Sequence, residues 1–374
     1  MIKKKKVAIV GAGIVGSTAA YYLSKDMNCQ VTIFDYGKGQ ATKAAAGIIS
    51  PWFSKRRNKA WYHLAKSGAD FYQILIKDLE KDRVDTSFYQ KNGVLLLKRN
   101  EEKLEELVTL AESRKETALL IGDLAILSKK QVNALFPGLQ NFQELLFASG
   151  GARVDGAQLC QTLIETSGFE LVSKKVTLSF ERDKFVIDGQ LFDRVILACG
   201  AWLGEILDPL GYQVDVKPQK GQLIDYHFEH LKTDDFPVVM PEGEIDIIPF
   251  NGGKISVGAS HENDKGFDLS VDERVVDELD ASAIAYYPQL GAAIKKKVRV
   301  GTRAYSSDFL PFFGEVTDRK GLFAASGLGS SGLTVGALVG KELAAMVLNK
   351  ELFLNPEDYP IASYISKRDS YPKK

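Results

Sequence analysis

The residues best placed to do chemistry are gathered around glycines. Gly11-Ala12-Gly13-Ile14-Val15-Gly16 has the spacing G-x-G-x-x-G, between an apolar run and a stretch of helical character. Such a loop lets the backbone turn tightly and approach a pyrophosphate, while the following helix offers unpaired N–H groups and the positive end of its dipole. Asp35 ends the next apolar run, about twenty residues beyond the loop, where an acid can bind ribose hydroxyls, and Tyr36 follows it. Together these residues predict a bound dinucleotide. They do not separate FAD from NAD.

Three further segments favour the flavin. Thr42-Lys43-Ala44-Ala45-Ala46-Gly47-Ile48 is a run of small residues that lets the backbone pass close to a flat ring. Asp193 to Ala198 reads as a strand that delivers Cys199, Gly200 and Trp202 into a helix start. Gly327-Leu328-Gly329-Ser330-Ser331-Gly332-Leu333-Thr334 opens the last helix and aims backbone N–H groups at any nearby negative charge, which reduced flavin carries at its N1–C2=O edge. Each segment alone is also an ordinary turn or helix start; their combination is the signal.

The elements that must position these residues follow from periodicity. Val7–Val10, helix 14–25 and strand 30–35 form a βαβ opening. A long amphipathic helix is expected over 59–79, a strand over 93–98 and helices over 101–115 and 155–167. A strand at 170–172 and a small antiparallel meander over 176–191 come next. Short strands at 221–228, 237–240, 244–250 and 254–259, divided by Gly, Pro and Asp, predict an antiparallel sheet in mid-sequence. A helix over 271–287, a strand at 322–325 and a helix over 333–348 complete the chain. The expected class is α/β, or α+β in two domains: a discontinuous Rossmann-type nucleotide domain (1–85, 147–215 and 295–374) carrying an inserted, mostly antiparallel substrate domain (86–146 and 216–294).

Composition excludes several functions. Lysine and arginine total 48, as do aspartate and glutamate, so no net field favours nucleic acid or anionic lipid, and the expected partner is a small molecule. Cys29, Cys160 and Cys199 form no CxxC pair and leave an odd count, which suits a reducing cytoplasm. His63, His227, His230 and His261 show no metal-ligand spacing with them, and no metal site is expected. Lys3 to Lys6 before an apolar stretch imitates a secretory signal, yet Gly11, Gly13 and Gly16 break that stretch and no small-residue cleavage site follows. A first strand with a basic lead-in is expected instead, and no later stretch reads as long and uncharged enough to cross a bilayer. Homo-oligomerisation stays open.

The order of these segments resembles the D-amino acid oxidase-like family of FAD-dependent oxidoreductases, which includes glycine oxidase, sarcosine oxidase and D-amino acid dehydrogenase. The resemblance spans nearly the whole chain and rests on VAIVGAGIVGSTAAYYL, TKAAAGI, ARVDGAQL, KPQKGQL, RVILACGAWL and GLGSSGLTVGALVGKELA. It implies an FAD domain of glutathione-reductase type and an antiparallel sheet that roofs the flavin. It also implies roles. Gly11, Gly13 and Gly16 match the pyrophosphate loop and Asp35 the ribose acid. Thr42, Ala46, Gly47 and Ile48 match the stretch passing the isoalloxazine, and Val176 a backbone contact to adenine. Gly200 and Trp202 match the second FAD motif, and Gly327 to Thr334 the flavin O2 edge. Arg303, in Val300-Gly301-Thr302-Arg303 followed by Asp308-Phe309-Leu310-Pro311-Phe312-Phe313-Gly314, matches an arginine that binds the substrate carboxylate above the flavin.

The chain also departs from the family. Where glycine oxidase-like members place an aromatic hydroxyl three residues before a strand proline, this strand places Asp246, which would repel a second acid and welcome a cationic amine. Ser256 stands where sarcosine oxidase-like members carry an oxygen-activating lysine, and Arg303 where they attach FAD through cysteine, so the FAD is expected to be non-covalent. The expected reaction is oxidation of an amine or amino acid by hydride transfer to flavin N5, giving an imine that hydrolyses, with oxygen or a quinone as electron acceptor. An FAD-dependent 2-hydroxy acid or polyol dehydrogenase and a non-catalytic flavin-binding protein are the competing readings.

Overall fold

The computed structural model describes residues 4–368, so Lys3 of the basic lead-in lies outside it. Five short apolar runs build a parallel sheet in the order Leu322–Ser326, Arg194–Leu197, Lys5–Val10, Cys29–Asp35, Glu170–Ser173, with Phe312–Glu315 added antiparallel at one edge. Val7, Ala8 and Ile9 are all fully buried, as the central strand of a sheet covered on both faces requires. Helices Ile14–Ser24, Gly156–Ser167 and Gly332–Leu348 share the hydrophobic core on one face. The antiparallel meander Leu178–Glu181, Lys184–Ile187, Gln190–Phe192 packs on the other.

The second sheet has eight strands, in the order Lys295–Tyr305, Lys217–His227, Lys254–Gly258, Asp246–Phe250, Val238–Met240, Val94–Leu97, Glu144–Ala148, Leu124–Ser128. All neighbours run antiparallel except Val238–Met240 beside Val94–Leu97. Helix Glu273–Tyr286 lies against it, with Leu279 and Ala283 in the shared core.

Five features differ from the sequence reading. The strand Lys295–Tyr305 belongs to this second sheet rather than to the nucleotide-binding unit, because it pairs along its whole length with Lys217–His227, from Lys217 opposite Tyr305 to His227 opposite Lys295. Residues 147–148 likewise belong to the second sheet. The same pairing starts the partner strand at Lys217 rather than Gly221. Strands Leu124–Ser128 and Glu144–Ala148 were not expected; neither shows a polar–apolar alternation that would set it apart. Finally, Gly329–Leu348 is long and apolar enough to cross a membrane by length and composition, contrary to the sequence reading, yet 72% of its most apolar window is buried inside the protein. It is a core helix.

That core helix depends on glycine. A Cβ at Gly340 would lie 2.4 Å from the Val15 carbonyl oxygen, and one at Gly336 would lie 2.5 Å from Ile14 Cγ2. The first and last helices therefore cross at a distance only glycine allows. Gly340→Leu should destabilise the protein by about 3 kcal/mol through overpacking. A thermal melt of the holoenzyme checks this, and an unchanged midpoint would show that the crossing yields.

Candidate active site

A cavity of about 490 Å³ lies between the two sheets. Gly11, Gly13, Ile14, Val15, Asp35 and Tyr36 form its wall on the parallel-sheet side, with Val176, Cys199, Gly200 and Trp202 beside them. Asp246, His261, Thr302 and Arg303 contribute from the antiparallel sheet. Between these walls pass Thr42, Ala46, Gly47 and Ile48 and the turn Leu328 to Thr334.

The glycines of the first loop are dictated by close approach. Gly11 has φ +104°, and a Cβ there would lie 2.3 Å from the Ala198 carbonyl oxygen. A Cβ on Gly16 would lie 1.8 Å from the Gly11 carbonyl oxygen, so Gly16 packs helix against loop and does not itself reach the cavity. Helix Ile14–Ser24 starts without a side-chain cap on Gly13 and without an acid in its first turn. Its Ile14 N–H donates to Thr42 Oγ1 (3.1 Å). The Asp35 carboxylate is held at the end of its strand by the N–H groups of Ala12 (2.5 Å) and Gly37 (2.5 Å) and by the Gln40 amide (2.8 Å).

The small-residue segment is held by a residue the sequence reading missed. Arg299 Nη1 donates to the carbonyls of Lys43 and Ala45, 3.1 Å each, while its Nη2 donates to Asp225 (2.9 Å) and Ser256 (3.1 Å). Lys43 thus contributes its carbonyl to this clamp; its side chain is exposed and does not line the cavity. Ser256 is fully buried in the same network. The last turn is braced comparably: Tyr305 Oη accepts from Ser330 N–H (3.0 Å), Trp61 Nε1 donates to Ser331 Oγ (3.3 Å), and Tyr72 Oη donates to the Leu333 carbonyl (2.8 Å). Gly327 sits outside the cavity wall and serves the turn through its φ of +73°.

Arg303 projects from the strand Lys295–Tyr305 over Gly221 of the neighbouring strand. A Cβ at Gly221 would lie 2.8 Å from Arg303 Nη1, so glycine makes room for the guanidinium. Nη1 donates to Gln219 Oε1 (2.9 Å) and the Ser260 carbonyl (2.8 Å), both neutral acceptors. Among the described residues no carboxylate lies within salt-bridge distance of Arg303. A cation held by neutral acceptors, with the rest of its fork uncommitted, is prepared for an incoming carboxylate.

Asp246 begins its strand opposite Gly258 and lines the same cavity. Burial pushes its carboxyl up to about 7, with no cation to offset it. Among the described residues its side chain has no hydrogen-bond or ion-pair partner. His261 lines the cavity too; burial and the nearby Arg303 charge lower its pKa against the opposing pull of Glu244, whose Oε2 lies 3.6 Å from Nδ1. Desolvation pushes the Cys199 thiol up to about 12, which makes it a half-buried wall residue rather than a nucleophile.

The cavity fits an FAD. It joins a helix N-terminus with no acid in its first turn and an acid at a strand end, as a dinucleotide's pyrophosphate and ribose need, to a small-residue wall that a flat ring can approach. Two cavity-lining residues carry buried hydroxyls with no partner, Ser50 Oγ and Thr302 Oγ1, which a polar ligand edge would satisfy.

The chain matches the family described as FAD dependent oxidoreductase (DAO) over residues 6–346. It is 42% identical to an uncharacterized oxidoreductase, YurR, of Bacillus subtilis, covering 95% of this chain and 98% of that one. It is 29% identical to a glycine oxidase of Pseudomonas aeruginosa, with the same coverage. The crystal structure of iminodiacetate oxidase from Chelativorans sp. BNC1 superposes with a TM-score of 0.89 at 34% identity, covering 94% of this chain and 98% of that one. A family match over nearly the full length, on a fold whose two sheets enclose a dinucleotide-shaped cavity, makes this chain a member of the DAO family of FAD-dependent oxidoreductases.

Proposed function

We propose that the protein oxidises an amine or amino acid whose carboxylate is held by Arg303. The observation that carries this reading is a cavity-lining guanidinium with neutral partners only, on the wall facing the dinucleotide loop. A bidentate fork on the carboxylate fixes the adjacent Cα in one orientation, which removes much of the entropic cost of the reaction. FAD, when bound, supplies the two-electron acceptor.

Asp246 completes the assignment. As a carboxylate it accepts a hydrogen bond from the substrate nitrogen and takes the ammonium proton, leaving the neutral amine whose lone pair drives Cα–H cleavage. A base whose pKa lies near 7 is matched to that task. His261, its proton affinity reduced, serves as a neutral wall. Glycine oxidases and iminodiacetate oxidase among the relatives support the amine class.

The likeness to iminodiacetate oxidase favours a second reading, a secondary amine with two carboxylates. There a protonated Asp246 would donate to the second carboxylate, as acids with raised pKa can. The two readings predict opposite pH dependences for the same residue.

Anaerobic flavin bleaching tests both. Glycine, sarcosine, proline, D-amino acids and iminodiacetate are mixed with the yellow holoenzyme, and the fall of the flavin bands is followed. Bleaching by at least one amine is expected. Bleaching only by 2-hydroxy acids or glycerol phosphate, or by nothing, would overturn the proposal. Peroxide release against reduction of an artificial acceptor then distinguishes oxygen from a quinone as the oxidant.

A further inference from the structure

A second cleft, of about 320 Å³, opens beside the N-terminus of helix Lys59–Lys81. Its lining includes Arg56, Arg57, Lys59, Lys66 and Arg114, with no aspartate or glutamate. Of these five cations only Lys66 has a carboxylate partner among the described residues, Asp70 at 3.5 Å. Arg57 is exposed, whereas Arg56 is half-buried with its guanidinium 4.7 Å from the Trp61 ring centroid.

The cleft is also built. Arg114 stacks on Tyr62 with 3.6 Å between guanidinium carbon and ring centroid. Arg114 Nη1 and Tyr62 Oη are both buried and have no hydrogen-bond partner. A buried guanidinium nitrogen and a buried phenol without partners, in a cleft of like charges, form an arrangement that an acceptor-rich anion would complete. The 23-residue helix adds its positive dipole end here, with no acid in its first turn.

We propose that this cleft binds a multiply charged oxyanion, a phosphate group or a polycarboxylate, at a site separate from the substrate cavity. The two sites are one indole apart: Trp61 carries Arg56 on the cleft side, lines the main cavity, and donates to Ser331 of its last turn.

Calorimetric titration of the holoenzyme with inorganic phosphate and with citrate, each against potassium chloride at matched ionic strength, tests the site. Saturable binding of at least one anion is expected, and which anion binds identifies the source. The double variant Arg57→Gln/Lys59→Gln should weaken that binding at least tenfold. Both side chains are exposed and leave the Arg114–Tyr62 stack intact, and the visible flavin spectrum reports that the variant is folded. No saturable heat for either anion in the unaltered holoenzyme overturns the proposal. So does undiminished affinity in the variant, which would place the anion elsewhere, at Arg303 for example.

Discussion

Replacing Arg303 with alanine is expected to lower kcat/KM for the best amine substrate by about 10²- to 10³-fold, with the flavin spectrum unchanged. The size follows from removing a charge-assisted, bidentate contact in a site where water competes poorly. The unchanged spectrum follows from placement, since the guanidinium reaches Gln219 on the antiparallel sheet and Ser260 just past the strand Lys254–Gly258, and makes no bond to the glycine loop or to Asp35. Arg303→Lys should recover only part of the loss, because an ammonium restores the charge without the planar fork. Steady-state kinetics on both variants, with absorbance spectra, check the prediction. A loss smaller than about threefold would mean the carboxylate is held elsewhere, since even one charged contact contributes more than that.

Asp246→Asn is expected to remove an ionisation from the rate profile. With Asp246 as proton acceptor, kcat/KM of the unaltered enzyme rises through an apparent pKa near 7, where burial holds the free carboxyl. In the variant that inflection vanishes and the rate above it falls about 10²-fold, the usual contribution of a positioned base. A rate that instead declines through pH 7 would assign Asp246 the role of neutral donor and favour a dicarboxylate substrate. Stability moves as well. The folded-state carboxyl titrates above its ordinary value of 3.8, so the native protein binds the proton more tightly than the unfolded chain. Between about pH 4 and pH 7 the unfolded state binds fewer protons, and the stability contributed by this group is lost as pH rises through that window. The asparagine variant should therefore gain thermal stability relative to the unaltered protein between pH 5 and pH 8, which melts at the two pH values check.

Much of this site was legible in the sequence where local geometry dictates the residue. Gly11 and Gly47 are fixed by backbone atoms 2.3 Å from where a side chain would begin, so their spacing carries the loop's shape. Arg303 and Asp246 were legible as residues, but their surroundings were not. The partners of Arg303 lie 84 and 43 positions away, Gln219 on the paired strand and Ser260 just past the strand Lys254–Gly258, and only the register of the second sheet brings them together. Arg299 was hidden for a related reason. It follows Lys295, Lys296 and Lys297, a run that reads as solvated charge, while the strand turns its guanidinium inward toward Asp225, Lys43 and Ala45. Lys43 shows the converse: a residue inside the right segment whose side chain points away from the site.

The strand Lys295–Tyr305 lies late in the chain, after the other strands of its sheet, yet carries both the Arg299 clamp and Arg303, the proposed carboxylate ligand. Recombining the roof of this enzyme with the bed of a relative therefore cannot treat residues 216–294 as a cassette. A graft ending before Lys295 would import one parent's pocket walls while keeping the other parent's anchor, and would break a register of eleven paired positions. The natural splice lies after Tyr305, where roof, anchor and clamp travel as one inherited unit.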